Sequence, residues 1–229
     1  MTEPDRQLHE TAGRESGLFI AFEGGDGSGK STQANRLAAA LEAKGHQVRM
    51  TFEPGDTGLG RTLRQIVLHS TSPVAPRTEA LLYAADKAQH VAEVVLPALE
   101  AGQIVVCDRY VDSVIAYQGA GRTLDLGEIR RLAWWAVSGL TPDLTVLMDV
   151  PVAEAFAGKE DLDRIEAAGA EFHARVRRHF LDLAAERPER YLIVNGRGQK
   201  DEVSAQILGR VQELIASRDH GLTQQSESA

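Results

Sequence analysis

Residues 22–32, FEGGDGSGKST, have the types and spacing to hold a polyphosphate. Gly24, Gly29, Lys30 and Ser31 satisfy the pattern G-x-x-x-x-G-K-[ST]. Glycines let the backbone curl, so that consecutive N–H groups converge on phosphate oxygens. A helix that starts where the loop ends adds the positive end of its dipole. Gly24, Gly25, Asp26, Gly27, Ser28, Gly29, Lys30, Ser31 and Thr32 then form an ATP-binding loop. Lys30 reaches the β- and γ-phosphates, and the Ser31 hydroxyl can bind Mg2+. Asp26 is an acid inside an anion-binding loop. It reads as a turn former beside Gly27 or as an outer-shell partner of Mg2+.

A phosphate loop alone fits a GTPase, an ATPase or a small-molecule kinase. The N-K-x-D guanine reader of a GTPase is absent from the sequence. A kinase with a small phosphorylated acceptor needs a second phosphate site, so arginines should converge near the loop. IVVCDRY supplies one, behind an acid. Asp108 ends an apolar run, where a second acid can hold Mg2+ through water. Arg109 follows it, as a phosphate fork or a surface salt bridge. Glu53, Pro54 and Gly55 make a forced turn, and Arg64 lies on the helical stretch after it. A solvated helix face would account for Arg64 equally. Tyr83 and Lys87 are one helical turn apart and share a face. They read as an aromatic plate with a donor for a base, or as a core tyrosine beside an exposed lysine.

These residues need a scaffold, and the pattern supplies one. Apolar strand-like runs at 18–23, 47–53, 104–108, 144–150 and 191–195 alternate with helical stretches. Ala34, Leu37, Ala38 and Leu41 share a helix face that Gly45 can end. Further helices are expected around 59–67, from Pro76 to Glu100, and over 127–137, 168–186 and 201–216. Five such strands predict an α/β, three-layer P-loop NTPase fold, a parallel sheet with helices on both faces. Ligands in such folds sit at the carboxyl ends of the strands. The chemistry should cluster after Glu23, Glu53, Asp108 and Asp149.

The 229 residues suit one domain over 17–216, between a polar arm (1–16) and a polar tail (217–229). A net charge of −8 argues against nucleic acid or an anionic membrane as partner. The single cysteine, Cys107, sits in an apolar run and reads as a small core residue. The start, MTEPDRQLHE, does not read as a signal peptide, and no apolar run approaches the roughly 20 residues that span a bilayer. A cytoplasmic enzyme or binding protein is expected.

Several segments together resemble the thymidylate kinase family: FEGGDGSGKST, EPGDTGLGRTLR, LLYAADKAQH, ALEAGQIVVCDRYVDSVIAYQG, TPDLTVLMDVP and LDRIEAAGAEFHARVRRHF. The resemblance implies phosphorylation of dTMP by ATP with Mg2+, in a homodimer. Arg64 and Arg109 would hold the dTMP phosphate. Tyr83 would stack on thymine and Lys87 bond its carbonyl, in places where the family usually has phenylalanine and arginine. Ser113 and Gln118 would line the nucleoside pocket beside Glu53 and Pro54, and Tyr117 would pack near the sugar. Asp26 and Asp108 would serve the metal centre with Ser31. Asn195 and Gly196 would fall on the adenine side. Residues of about 151–167 would form a lid, whose Arg164 would meet the moving phosphoryl group alongside Lys30. This lid offers only Lys159 and Arg164 as cations, and Phe52 stands where the family often has arginine. Trp134 and Trp135 fit a core or an interface.

Overall fold

The computed structural model describes residues 17–155 and 163–226. The expected arm and residues 156–162 of the expected lid, with Lys159, lie outside the described residues.

Five strands form one parallel sheet: β1 (Leu18–Glu23), β2 (Val48–Phe52), β3 (Ile104–Asp108), β4 (Leu144–Asp149) and β5 (Tyr191–Asn195). Their order is β2-β3-β1-β4-β5. β1 lies at the centre, paired with β3 on one side and β4 on the other, and is buried along its whole length. Burial on both faces explains its unbroken apolar run LFIAF. The strand order reverses across β1, so its carboxyl end is the crevice where such sheets bind ligands.

The helices are α1 (Lys30–Glu42), α2 (Gly58–His69), α3 (Pro76–His90), α4 (Val111–Val114), α5 (Leu126–Ala136), α6 (Val152–Ala155), α7 (Ala170–Glu186) and α8 (Lys200–Ser226). α3 starts on Pro76, as expected, and continues through a π-helical turn, Val91–Val95, to Leu96–Glu100. α1 and α8 cover one face, where Leu37, Leu41 and Ile207 pack on Ile20, Phe22 and Val106. On the other face Val95, Val114, Ile115 and Ala133 pack on Phe19, Ala21 and Val105. Cys107 is buried in that second cluster. Trp134 packs against it, whereas Trp135 is 78% exposed.

Two stretches differ from the sequence expectation. The pattern of VDSVIAYQGAG predicts no helix, yet it forms α4 and a π-helical continuation, Ile115–Gly121. Nearly all of it is buried, so it lacks the one-sided polarity that marks a surface helix. The last helix was expected to end at 216 and runs to Ser226. Its extension has no apolar stripe to read. Arg218 holds it instead, donating to the Gly17 carbonyl and to Asp143 at 2.9 Å.

Candidate active site

The phosphate loop joins β1 to α1. Gly24 has φ 134°, and a Cβ there would stand 2.4 Å from the Met148 carbonyl oxygen. Only glycine fits that close approach. A Cβ on Gly27 would meet the Ala155 carbonyl oxygen at 2.1 Å, so the loop rests directly on α6. The Lys30 ammonium folds back over the loop and donates to the carbonyls of Gly24 (3.0 Å) and Gly25 (2.6 Å). Burial, then the Arg109 charge, pushes Lys30 down to about 8.

The structure also joins two expected metal residues. The Ser31 hydroxyl donates to Asp108 Oδ2. The other oxygen, Asp108 Oδ1, is buried without a hydrogen-bond partner. Asn195 ends β5, exposed, and its Oδ1 accepts the Arg197 N–H at 2.9 Å. Gly196 N donates to the Asp149 carbonyl at 3.0 Å. The Arg197 guanidinium donates to the Glu154 carbonyl and so ties this loop to α6. No motif or spacing announces that tie.

Beside the loop opens a cleft of about 260 Å³. Glu53, Pro54, Arg64, Tyr83, Lys87, Arg109, Ser113, Tyr117 and Gln118 all line it, together with Asp26. Arg109 sits where cleft and loop meet. Its φ of 71° is a left-handed conformation that costs a non-glycine residue energy, so the surrounding contacts must impose it. Its guanidinium donates to the Gly24 carbonyl (3.3 Å), Ser113 Oγ (3.1 Å), the Tyr117 hydroxyl (3.3 Å) and Asp26 Oδ1. With its side chain 18% exposed it is no surface salt bridge.

Asp26 has a duty that its place in the loop did not reveal. Oδ1 takes Arg109, and Oδ2 takes the Tyr117 hydroxyl at 2.7 Å. Burial alone would raise its carboxyl; Arg109 and Lys30 overcome that and hold it below the usual range. Arg64 leans toward the cleft rather than into solvent. It donates to the Pro54 carbonyl at 2.7 Å and lies 5.8 Å from the Phe52 ring centre.

The exposed-lysine alternative for Lys87 is overturned. Lys87 is 2% exposed, and its ammonium donates to Glu53 Oε2. An isolated buried ammonium is too costly, so the buried carboxylate across from it is its required partner. Tyr83, which lines the cleft with it, is partly buried. Burial, then Glu79, raises the Tyr83 phenol and keeps it neutral.

Arg164 was expected on the moving phosphoryl group. Instead it donates to Glu79 Oε2 at 2.5 Å and to the Val67 carbonyl at 2.8 and 2.6 Å. Glu79 is fully buried and also holds Arg122 (3.0 Å) and Gln118 (3.0 Å). A buried carboxylate attracts every cation in reach, and this pulls Arg164 to the acceptor side. Glu79, Tyr83, Lys87 and His90 follow helical spacing on one face of α3. That spacing was the available signal for Glu79 and His90. Glu23 was missed in its role as a support. It accepts from Ser113 Oγ (2.6 Å) and from the backbone N–H of Tyr110 (2.8 Å) and Ser113 (3.0 Å).

Asp86 is the strained member of the cluster. Oδ1 accepts the Gly55 N–H at 3.1 Å, while Oδ2 is buried without a partner. Burial, then the Glu53 charge, raises its carboxyl to about 6. The folded chain therefore binds this proton more tightly than the unfolded chain, where the value is about 3.9. Stability from this group is lost as pH rises from about 4 through 6. Asp86→Asn should stabilise the protein by about 1–2 kcal/mol at pH 8, a few degrees in Tm, and hardly at all at pH 4. Thermal melts of both proteins at the two pH values check this.

A phosphate-cradling loop that shares an arginine with an adjoining cleft of polar and aromatic side chains defines a P-loop kinase for a small acceptor. A family model described as thymidylate kinase matches residues 22–207. The thymidylate kinase of Cutibacterium acnes is 58% identical over 200 residues, 87% of this chain and 98% of its own. That of Deinococcus radiodurans is 48% identical over 200 residues, 86% of this chain and 97% of its own. The crystal structure of thymidylate kinase from Ehrlichia chaffeensis matches with a TM-score of 0.67 at 34% identity, covering 78% of this chain and 93% of that chain. The chain belongs to the thymidylate kinase family.

Proposed function

We propose that the protein transfers the γ-phosphoryl group of ATP to dTMP, giving dTDP. The observation that carries this reading is Arg109, which touches the ATP loop at Gly24 and the acceptor cleft at Ser113 and Tyr117. A cation there can hold the acceptor phosphate in line with the donor. Phosphoryl transfer needs little covalent help, so positioning and charge do most of the work. Lys30 meets the charge of the donor phosphates. Arg64 supplies the second guanidinium for the acceptor phosphate. Tyr83 offers its ring to the base, and Lys87 a donor to a base carbonyl. Ser113 and Gln118 line the nucleoside pocket, and Tyr117, tied to Asp26 and Arg109, packs against the sugar. Asn195 borders the adenine side.

Mg2+ fits the residues present. The orphaned, buried Asp108 Oδ1 and the Ser31 hydroxyl beside it are hard oxygen donors. Ser31 and Asp108 would hold the ion, with Asp26 in its outer shell, and the ion would neutralise charge on the donor phosphates. Leu59, Ile66 and Leu81 stay exposed on α2 and α3, which pack on each other, and support a homodimer. No helix among the described residues is long and apolar enough to cross a membrane, and the one cysteine is unpaired. A cytoplasmic location agrees with both. The charge of −8 speaks against a nucleic-acid partner.

ADP release with ATP, Mg2+ and each of dTMP, dUMP, UMP, CMP and thymidine tests the reading. Fast turnover with dTMP is expected, with thymidine inert for lack of a phosphate to grip. Tyr83 and Lys87, where the family usually has other residues, with Val114 beside them in the cleft wall, favour one second reading: a modified pyrimidine monophosphate as acceptor. Turnover with another monophosphate and none with dTMP would establish it. ATP binding with silence across the panel would point to a non-catalytic nucleotide-binding module.

A further inference from the structure

Behind the acceptor cleft four groups form one chain of hydrogen bonds. Asp56 Oδ2 lies 2.5 Å from Thr51 Oγ1. Thr51 Oγ1 lies 2.6 Å from His90 Nε2. His90 Nδ1 lies 2.7 Å from Glu53 Oε1. The other Glu53 oxygen takes Lys87. His90 and Thr51 are each 1% exposed, so water is not available to mend a missing bond.

The protons along this chain can be counted. An ionised carboxylate only accepts, a hydroxyl has one proton to give, and a neutral imidazole has one donor and one acceptor. Glu53 must receive a proton from His90 Nδ1. Asp56 must receive the Thr51 hydroxyl proton. The Thr51 oxygen is then left as an acceptor, and only an N–H on His90 Nε2 completes the third bond. A neutral ring satisfies two of the three contacts and leaves one as a repulsion between lone pairs.

We propose that His90 is a positioning residue of the acceptor cleft, and that it acts as an imidazolium with a proton on each ring nitrogen. This rests on the dTMP kinase reading for its kinetic consequence, but not for its protonation state. Every group packed on the ring takes part in the balance. Glu53 and Asp56, from the turn after β2, are anionic, and Asp56 also meets Arg49 at 3.3 Å. From its own helix, Asp86 faces the ring with its raised carboxyl, and Lys87 opposes it with a like charge. Cys107 approaches from β3 as a neutral thiol, because burial raises it and its Sγ–H donates to the Arg109 carbonyl at 3.0 Å. Ligand atoms of Glu53, His90 and Cys107 cluster within 4.8 Å, but each already holds a hydrogen bond, so a cation is not what the cluster awaits.

The consequence reaches the base end of the cleft. Burial alone would raise the Glu53 carboxyl; Lys87 and His90 overcome it and hold it ionised. Glu53 then stands fixed between two cations. It anchors the Lys87 ammonium on the cleft wall, 5.6 Å from the Tyr110 ring centre. Loss of the His90 proton opens one bond of the chain and frees one arm of Glu53, and the donor offered to the base loses its fixed place. The ATP loop, on the far side of Arg109, is not part of this chain.

Long-range 1H–15N spectra of the full chain at pH 7 test the first half. The His90 resonance is assigned by its absence in His90→Gln, or by its shift in Thr51→Val should the first variant not fold. Both ring nitrogens are expected at the positions of protonated nitrogen. One protonated and one bare nitrogen overturns the proposal, whatever the enzyme turns over. Steady-state kinetics test the second half. His90→Gln, and Thr51→Val with it, should raise the dTMP KM at least five-fold, with kcat within two-fold and the ATP KM unchanged. An unchanged dTMP KM, or equal damage to both substrates, overturns the positioning role. Absence of dTMP turnover in the unaltered protein would sink the kinase reading while the spectrum still decides the protonation state.

Discussion

Lys30→Ala lowers kcat for ADP formation by about 10³-fold or more, while the protein keeps its fold. Removing a single preorganised donor from a developing oxyanion costs about 10²–10³ in rate. Lys30 brings a full charge as well as donors, to a place where two phosphates meet. In the ligand-free chain its ammonium is held over the loop by the Gly24 and Gly25 carbonyls at 3.0 and 2.6 Å, and a bound phosphate would draw those donors to itself. Lys30→Arg should not rescue the rate. A planar fork cannot replace a compact ammonium between two carbonyls in a loop that leaves it 6% exposed. A pH signature accompanies this. Lys30 is pushed down to about 8 by burial first, so the ligand-free chain loses this proton as pH rises through 8. ATP phosphates favour the charged form, so ATP binding takes up a proton there, and the ATP KM rises above pH 8. Lys30→Ala lacks that rise. Near-normal kcat in Lys30→Ala, with Tm unchanged, would remove Lys30 from the mechanism.

The donor half of the site was legible because its physics is local. Gly24, Gly29, Lys30 and Ser31 lie within eight residues, and their spacing alone fixes what the backbone must do. The five strands were legible for a similar reason: a strand buried on both faces shows as an apolar run. The acceptor half depends on contacts across the chain. Glu23 meets Ser113 across 90 positions, and Asp26 meets Arg109 across 83. No window of sequence shows such a pair. The partners of Arg164 are hidden for this reason. Its position in LDRIE suggested a phosphate partner, but the fully buried Glu79 is a stronger local claim on a cation. Lys87 was ambiguous in the same way, because its partner Glu53 is 34 residues away. The end of α8 hid differently: a polar helix held by Arg218 has no periodicity to read.

Arg109→Ala should raise the dTMP KM and lower kcat together, reducing kcat/KM by about 10²–10⁴-fold. A hydrogen bond to a charged group contributes about 1.5–3 kcal/mol, and a guanidinium fork makes two to a phosphate. The loss has a second source. In the protein as it stands, Asp26 is balanced by Arg109 and accepts the Tyr117 hydroxyl. Without the arginine, a buried carboxylate faces the incoming phosphate with only Lys30 and Tyr117 to offset it, and like charges at close range repel. Two effects are therefore mixed in the single variant, and a second substitution separates them. Asp26→Asn in the Arg109→Ala background removes the repulsion but restores no grip. It should recover about ten-fold of the lost kcat/KM, although Asp26→Asn alone, with Arg109 unbalanced, should impair the enzyme. Such non-additivity is expected of side chains in direct contact. Two losses that simply add would show that Asp26 and Arg109 act on the acceptor independently, and near-normal kcat and KM in Arg109→Ala would refute the assignment of Arg109 to the acceptor phosphate.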